Sequence, residues 1–150
     1  MRLILISILS FIALFGQARI GDWDSYTSPL NIHEITVYEE SLICATDGGL
    51  LFFDTINQSF ENLNNINGLS GSKLNCLELS KSSELWVGGG EPNGFVQIYD
   101  VASHKSIREF DYGMSEIIDF AISDSVAYAV YRDNNDFGLI EFSLLNGEFI

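Results

Sequence analysis

Apolar runs, glycine turns and strand-ending aspartates recur along this chain in a repeated order. Residues 42–54 read LICATDGGLLFFD: an apolar run, a glycine turn and a second apolar run that ends at an aspartate. Looser copies, LWVGGGEPNGFVQIYD and AYAVYRDNNDFGLIEFS, occupy residues 85–100 and 127–143. The glycines that open the second run are 45 and 44 residues apart: Gly49, Gly94 and Gly138. A steady period of this length indicates a repeat architecture.

Each copy is flanked by further strand-like segments. The preceding segments are ITVYEE, LNCLEL and IIDFAI, and the following ones are SFENLN, SIREFD and GEFI. The unit is therefore four short antiparallel strands, which is typical of a β-propeller blade. The sequence predicts an all-β fold, a partial β-propeller with three four-stranded blades at about residues 35–73, 74–116 and 117–150.

The side-chain pattern favours stacked blades over an open sheet. GLLFFD and GFVQIYD place large apolar groups on both faces of one strand, so both faces have to be buried. The outer segments SFENLN and SIREFD instead alternate apolar with polar residues, as half-exposed strands do. No stretch beyond residue 18 has convincing helical periodicity, and we expect helices to be nearly absent.

One segment, DWDSYTS at residues 22–28, has no blade of its own. Its Trp23 and Tyr26 have the spacing of Phe60 and Leu63, which predicts an amino-terminal strand that closes the last blade of the ring. Closed propellers have about four to eight blades. Three blades would leave two apolar sheet faces bare. We therefore expect this chain to be the front part of a longer protein, with a ring of several chains as the alternative.

The first eighteen residues have the pattern of a secretory signal peptide. Met1 and Arg2 precede a thirteen-residue apolar run and then GQA, with small residues at Gly16 and Ala18. A membrane-spanning helix needs about 20 apolar residues, whereas a charged start and a small-residue cleavage site are typical of export. We predict a signal peptide at 1–18, a mature domain at 19–150 and no transmembrane span. The expected location is the periplasm, the outer-membrane surface or the extracellular space.

The charge of the chain narrows the range of partners. The formal net charge is −14, and cleavage after Ala18 removes Arg2 and makes it −14 − 1 = −15. Nucleic acid is excluded as an expected partner because the sequence has no cluster of lysine and arginine to bind phosphates. The acidity keeps an exported protein soluble, or it attracts a basic partner or divalent cations.

Residues 65–89, NINGLSGSKLNCLELSKSSELWVGG, resemble the two-component-regulator propeller repeat. The matching parts are the turn GLS at 68–70, the strand LWVG at 85–88 and the glycine turn DGGL at 47–50. The third copy matches poorly, since it lacks the tryptophan and the double glycine. Together with the signal peptide and the WDSY segment, the pattern is most similar to the amino-terminal propeller of PorZ-like proteins of the type IX secretion system.

This resemblance implies a non-catalytic binding or scaffold propeller. PorZ-like proteins help to attach type IX cargo to surface lipopolysaccharide, so the implied partner is a protein or a surface glycan. The first alternative is the periplasmic sensor propeller of a two-component regulator, and the second is part of an exported propeller enzyme. The segments expected to carry specificity are the longer loops, at residues 64–73, 88–94, 111–116 and 132–136.

The sequence contains no nucleophile elbow, P-loop, HExxH or CxxC motif. We therefore predict no enzyme activity and no cofactor. His33 and His104, the two histidines, are predicted as solvated loop residues. Trp23 and Trp86 are expected to pack between blades. The glycine-rich residues 88–94 are predicted as a hairpin loop, because no helix follows them to stabilise phosphate.

Two further features carry candidate chemistry. Asp133, Asn135 and Asp136 are candidate calcium ligands, since calcium prefers several oxygen ligands; the same residues favour an ordinary tight turn. Cys44 and Cys76, the only cysteines, either form a disulfide, which export permits, or act as buried apolar side chains.

Cleavage of the signal peptide is directly testable. We expect mass spectrometry of the exported protein to find Arg19 at the amino terminus, because Ala18 ends the small-residue site that the signal peptidase requires. The variant Ala18→Phe should keep its leader. Exported wild-type protein that retains Met1 would contradict the prediction.

Overall fold

The computed structural model describes residues 27–111 and 113–144, which form three antiparallel sheets. Blade 1 contains β1 Ile32–Tyr38, β2 Ser41–Thr46, β3 Gly49–Asp54 and β4 Ser59–Leu63. Blade 2 contains β5 Lys73–Leu79, β6 Glu84–Glu91, β7 Phe95–Asp100 and β8 Lys105–Asp111. Blade 3 contains β9 Glu116–Ile122, β10 Val126–Asp133 and β11 Asp136–Ser143. The predicted signal peptide, the closing strand up to Tyr26 and the last predicted strand at 147–150 lie outside the described residues.

Neighbouring strands in each blade are also neighbours in sequence, so each sheet is a meander. Thr46 pairs with Gly49, which leaves a two-residue turn between β2 and β3. Gly49 has φ +117°, and a Cβ on it would lie 2.0 Å from the carbonyl oxygen of Leu63. Glycine is therefore required where the turn passes β4.

Blades 1 and 2 pack face to face around one apolar cluster. Ile43 and Leu50 of blade 1 are fully buried, as are Leu85 and Tyr99 of blade 2. Burial of each such side chain stabilises the fold by about 1.5–3 kcal/mol. Both faces of strand β7 are buried from Phe95 to Tyr99, which confirms the prediction drawn from GFVQIYD.

Blades 2 and 3 pack around Trp86, which is only 1% exposed. Its ring centroid lies 5.3 Å from that of Phe142 and 6.2 Å from that of Phe120, in edge-to-face arrangements. The prediction that Trp86 packs between blades is confirmed. A Cβ on Gly88 would lie 2.7 Å from Cγ2 of Ile117 in blade 3, so the glycine lets blade 3 approach the sheet closely.

The surfaces that face outward are more exposed than the interfaces between the blades, which we call seams. Strands β4 and β8 are mostly exposed, as their alternation predicted. The free face of blade 1 exposes Ile35 and Val37, and that of blade 3 exposes Phe137 and Leu139. No helix in the described part of the chain has the length and apolar character needed to cross a membrane.

Two predictions about individual residues need correction, and the structure decides between the alternatives for the cysteines. His33 lies inside β1 rather than in a linker, because β1 begins earlier than the apolar pattern indicated. The segment from Gly88 to Glu91 belongs to β6, so the predicted hairpin loop is confined to residues 92–94. Cys44 and Cys76 are free thiols; Cys76 lies in the seam between blades 2 and 3, whereas Cys44 pairs with Ile35 in blade 1. Both side chains are buried, so the alternative of buried apolar cysteines is confirmed and that of a disulfide is wrong.

The repeated aspartate at the end of the third strand caps the following turn. Asp54 Oδ1 accepts the backbone N–H groups of Ile56 and Asn57 at 2.8 and 2.9 Å. In blade 2, Asp100 accepts hydrogen bonds from Ala102 and from both the backbone and the hydroxyl of Ser103. The repeat therefore conserves a turn geometry, and these aspartates need no ligand to explain them.

Trp86→Ala should destabilise the protein strongly. Truncation leaves a cavity between blades 2 and 3, and such changes typically lower the free energy of unfolding by about 3–5 kcal/mol. The measurement is urea unfolding. Ile56→Ala, at a side chain that is 71% exposed, is the control and should change the value by less than about 0.5 kcal/mol. Equal effects of both variants would show that the seam is not a core.

Acid should weaken the turns of blades 1 and 2. Hydrogen bonds from Asn57 hold the pKa of Asp54 below its usual range, and those from Ser103 do the same for the pKa of Asp100. Because these folded pKa values are lowered, their stabilisation is fully present above about pH 4 and is lost as the pH falls through them.

The variant Asp54→Asn/Asp100→Asn should therefore lose less stability than the wild type when the pH is lowered from about 6 to about 3. Urea unfolding at both pH values measures the difference. Glu109→Gln, on the exposed strand β8, is the matched control. An unchanged acid sensitivity in the double variant would rule out the turn carboxylates as its source.

Candidate functional site

The meander topology gathers the predicted specificity loops at one end of the blades. Chain direction reverses at every strand, so the turn between the second and third strands and the linker into the next blade lie at the same end. We call this the loop end. It contains residues 47–48, 64–72, 92–94, 113–115 and 134–135.

The linker into blade 2 is ordered by its own sequence. Residues Asn65–Asn67 form a short 3₁₀ helix, capped reciprocally by the side chains of Asn64 and Asn67. Gly68 ends the helix with φ +96°, a conformation that favours glycine. Leu69 is buried in the core between blades 1 and 2. The GLS turn of the repeat is thus an anchor for the linker.

A buried glutamine attaches this linker to blade 2. Gln97, on β7, is 1% exposed. Its Nε2 donates to the carbonyl oxygen of Gly68 at 2.8 Å, and its Oε1 accepts from the backbone N–H of Ser70 at 3.0 Å. Because both ends of the amide are satisfied, its burial is compatible with a stable core. Gln97 therefore fixes the position of Ser70.

A cleft of about 410 Å³ opens at the loop end, where blade 1 meets blade 2. That volume lies within the range of sites for small ligands. The linker into blade 3 is shorter and packs directly on blade 2, where the N–H of Gly94 donates to the carbonyl of Met114 at 2.8 Å. The longer linker between blades 1 and 2 thus leaves the cleft open. The lining residues are Asp47, Asn65, Ser70, Gly71, Ser72, Lys73, Glu91 and Pro92.

Asp47 is held in place at the rim of the cleft. Its Oδ2 accepts from Asn31 Nδ2 at 2.6 Å, and its Oδ1 lies 2.8 Å from His33 Nε2. The hydrogen bonds from Asn31 and His33 hold the pKa of Asp47 below its usual range. The side chain is therefore an ionised, oriented carboxylate at neutral pH.

The other charged groups of the cleft balance each other. Lys73 Nζ lies 3.1 Å from Glu91 Oε1, and this contact raises the pKa of Lys73. The Ser70 hydroxyl oxygen is buried and has no hydrogen-bond partner among the described residues. The cleft therefore presents the carboxylate of Asp47, which no lysine or arginine neutralises among the contacts described, whereas the Ser70 hydroxyl oxygen is buried.

A smaller pocket, of about 190 Å³, lies at the opposite end of the same seam. The ring of His104 packs 4.9 Å from that of Phe52, and its Nδ1 lies 3.6 Å from Glu61 Oε1. Burial raises the pKa of the neighbouring Tyr99 to about 12. His104 is thus in a turn, as predicted, but it packs on the seam rather than being freely solvated.

The predicted calcium turn is built as a hairpin. Asp133 pairs with Asp136 across the turn, and its Oδ1 accepts from Ser115 Oγ and Asn134 Nδ2 at 3.1 and 3.2 Å. Within residues 27–111 and 113–144, no group of three or more histidine, cysteine, aspartate or glutamate side chains is arranged to hold a metal ion. The calcium site at Asp133, Asn135 and Asp136 stays a prediction.

No protein-family model or curated protein matches this sequence. Solved structures do match it. An extracellular domain of a protein described as a hybrid two-component system, BT3049 from B. thetaiotaomicron, has a TM-score of 0.66 and 16% identity, over 80% of this chain and 17% of that one. An extracellular domain described as that of a one-component system, BT4673 of the same organism, has a TM-score of 0.65 and 16% identity. The match covers 88% of this chain and 20% of that one.

The WD40 repeats of RRP9 are also similar, with a TM-score of 0.64 and 12% identity, over 85% of this chain and 39% of that one. The chain thus spans about a fifth of the length of the two extracellular domains and less than half of RRP9. At these identities the similarity concerns the fold. The chain is all-β and folds as part of a β-propeller.

Proposed function

We propose that this chain is part of an exported, non-catalytic β-propeller that binds a ligand at its loop end. The observation that carries the proposal is the cleft between blades 1 and 2, where Asp47 and Ser70 are fixed by contacts outside the cleft. Polar groups that are oriented before a ligand arrives lower the entropic cost of binding.

A sensor role is the form of this function that the structural similarities favour. BT3049 and BT4673 are described as extracellular domains of signalling systems, and a propeller in that place would recognise a molecule outside the cell. Attachment of type IX cargo to lipopolysaccharide remains a prediction from the sequence resemblance. The carboxylates of Asp47 and Glu91 would repel the phosphates of that glycolipid.

The ionisable groups of the cleft support binding rather than catalysis. A general acid or base works best when its pKa lies near the working pH. The pKa of Asp47 is lowered and that of Lys73 is raised. Both pKa values are therefore moved further from neutral pH.

Ligand binding should appear as thermal stabilisation. A free ligand concentration of about 100 times Kd adds about 2.7 kcal/mol to the free energy of unfolding. This corresponds to a rise in Tm of several degrees for a chain of this size. We expect at least one compound to produce this rise in a panel of neutral oligosaccharides, short cationic peptides and lipopolysaccharide. Mass spectrometry should recover that compound unchanged.

Ser72→Trp fills the cleft and should abolish the rise in Tm. Ser106→Trp, on the exposed strand β8, is the matched control and should preserve it. A compound that is chemically converted would overturn the non-catalytic proposal. Binding that survives Ser72→Trp would place the ligand elsewhere.

A further inference from the structure

We infer that the cleft between blades 1 and 2 takes a cationic side chain, a lysine ammonium or an arginine guanidinium of a peptide or protein partner. This inference rests on the proposed binding function and names the chemistry of its ligand. It depends on two features of the described residues: the oriented, ionised carboxylate of Asp47 and the pairing of Lys73 with Glu91.

Asp47 supplies the charge that attracts a cation. Its donors, Asn31 and His33, each occupy one carboxylate oxygen, and a carboxylate has about four acceptor sites in all. Each oxygen can therefore accept a further hydrogen bond from a ligand. Hydrogen bonds between ionised partners are shorter and stronger than neutral ones.

Lys73 would be the natural competitor for this carboxylate, but it is engaged elsewhere. Its ammonium lies 3.1 Å from Glu91, and Asp47 affects it only through a smaller electrostatic attraction. With Lys73 balanced by Glu91, the cleft keeps a net negative charge. An anionic ligand would meet that charge unfavourably, whereas a cation would neutralise it.

Ser70 belongs to the wall of the cleft and does not compete for the cation. Its backbone N–H is bonded to Gln97, and its hydroxyl oxygen is buried. An ammonium or guanidinium group has several N–H donors and no acceptor, so it can bond to both oxygens of Asp47 at once. The acidity of the whole chain, with a net charge of −14, would steer a basic partner towards the protein.

The test uses isothermal titration calorimetry of the full chain with the peptide trilysine at low salt. We expect Asp47→Asn to weaken binding about tenfold, which is about 1.4 kcal/mol. Asp124→Asn removes the same charge at the opposite end of the blades, where Asp124 pairs with Lys81, and should change Kd less than about twofold. Equal losses in both variants would overturn the inference, because the attraction would then be non-specific.

A second variant has an effect of opposite sign. Lys73→Gln leaves both Asp47 and Glu91 unbalanced, and it should tighten trilysine binding several-fold. Lys73 is partly exposed, so its loss should not disturb folding, and a change in binding would reflect charge. Unchanged or weaker binding by Lys73→Gln would count against a cation site.

A neutral trisaccharide, maltotriose, separates this inference from the proposed function. If maltotriose bound in a manner sensitive to Ser72→Trp while trilysine did not bind, the cleft would be a ligand site of another class and the cationic inference would be wrong. If neither these probes nor the wider panel bound, the proposed function would fail as well. Trilysine binding that requires Asp47 supports both.

Discussion

Face-to-face packing of the sheets is the constraint on which the rest of this structure depends. A four-stranded sheet with apolar side chains on both faces is stable only when both faces are covered. In the described residues, blade 2 meets this condition through Leu85 and Tyr99 on one side and Trp86 on the other. Small residues such as Gly88 let the sheets approach. Every loop position is then set by where the stacked strands end.

The cleft follows from how the chain crosses from one blade to the next. The linker into blade 3 is short and lies directly on Gly94. The linker into blade 2 is longer, and its excess chain is ordered by the short 3₁₀ helix, by the buried Leu69 and by Gln97. A polar side chain in a core is costly unless it is hydrogen-bonded. Gln97 forms hydrogen bonds at both ends of its amide by holding the linker, so the shape of the cleft is coupled to the core.

Sequence reasoning predicted the sheets because their signal is local. The period, the glycine turns and the two-faced apolar strands identify blades without knowledge of register. The same reasoning misplaced His33, because β1 continues past an irregularity in its pairing near Glu34. The contact between His33 and Asp47 depends on that register and joins residues fourteen positions apart. Asp47 lies in the DGGL motif, and its sequence context indicated only a turn.

Several residues of the repeat have structural roles, although Asp47 of DGGL and Ser70 of GLS also line the cleft. Leu69 packs in the core, while Asp54 and Asp100 cap turns, so a resemblance carried by such positions indicates a fold and not a ligand. The other charges at the cleft, Lys73 and Glu91, lie outside the GLS, LWVG and DGGL segments, and Asp47 is oriented by hydrogen bonds from Asn31 and His33. Lys73 and Glu91 lie at strand ends, so we expect their exchange to change the charge of the cleft without disturbing the packing of the blades.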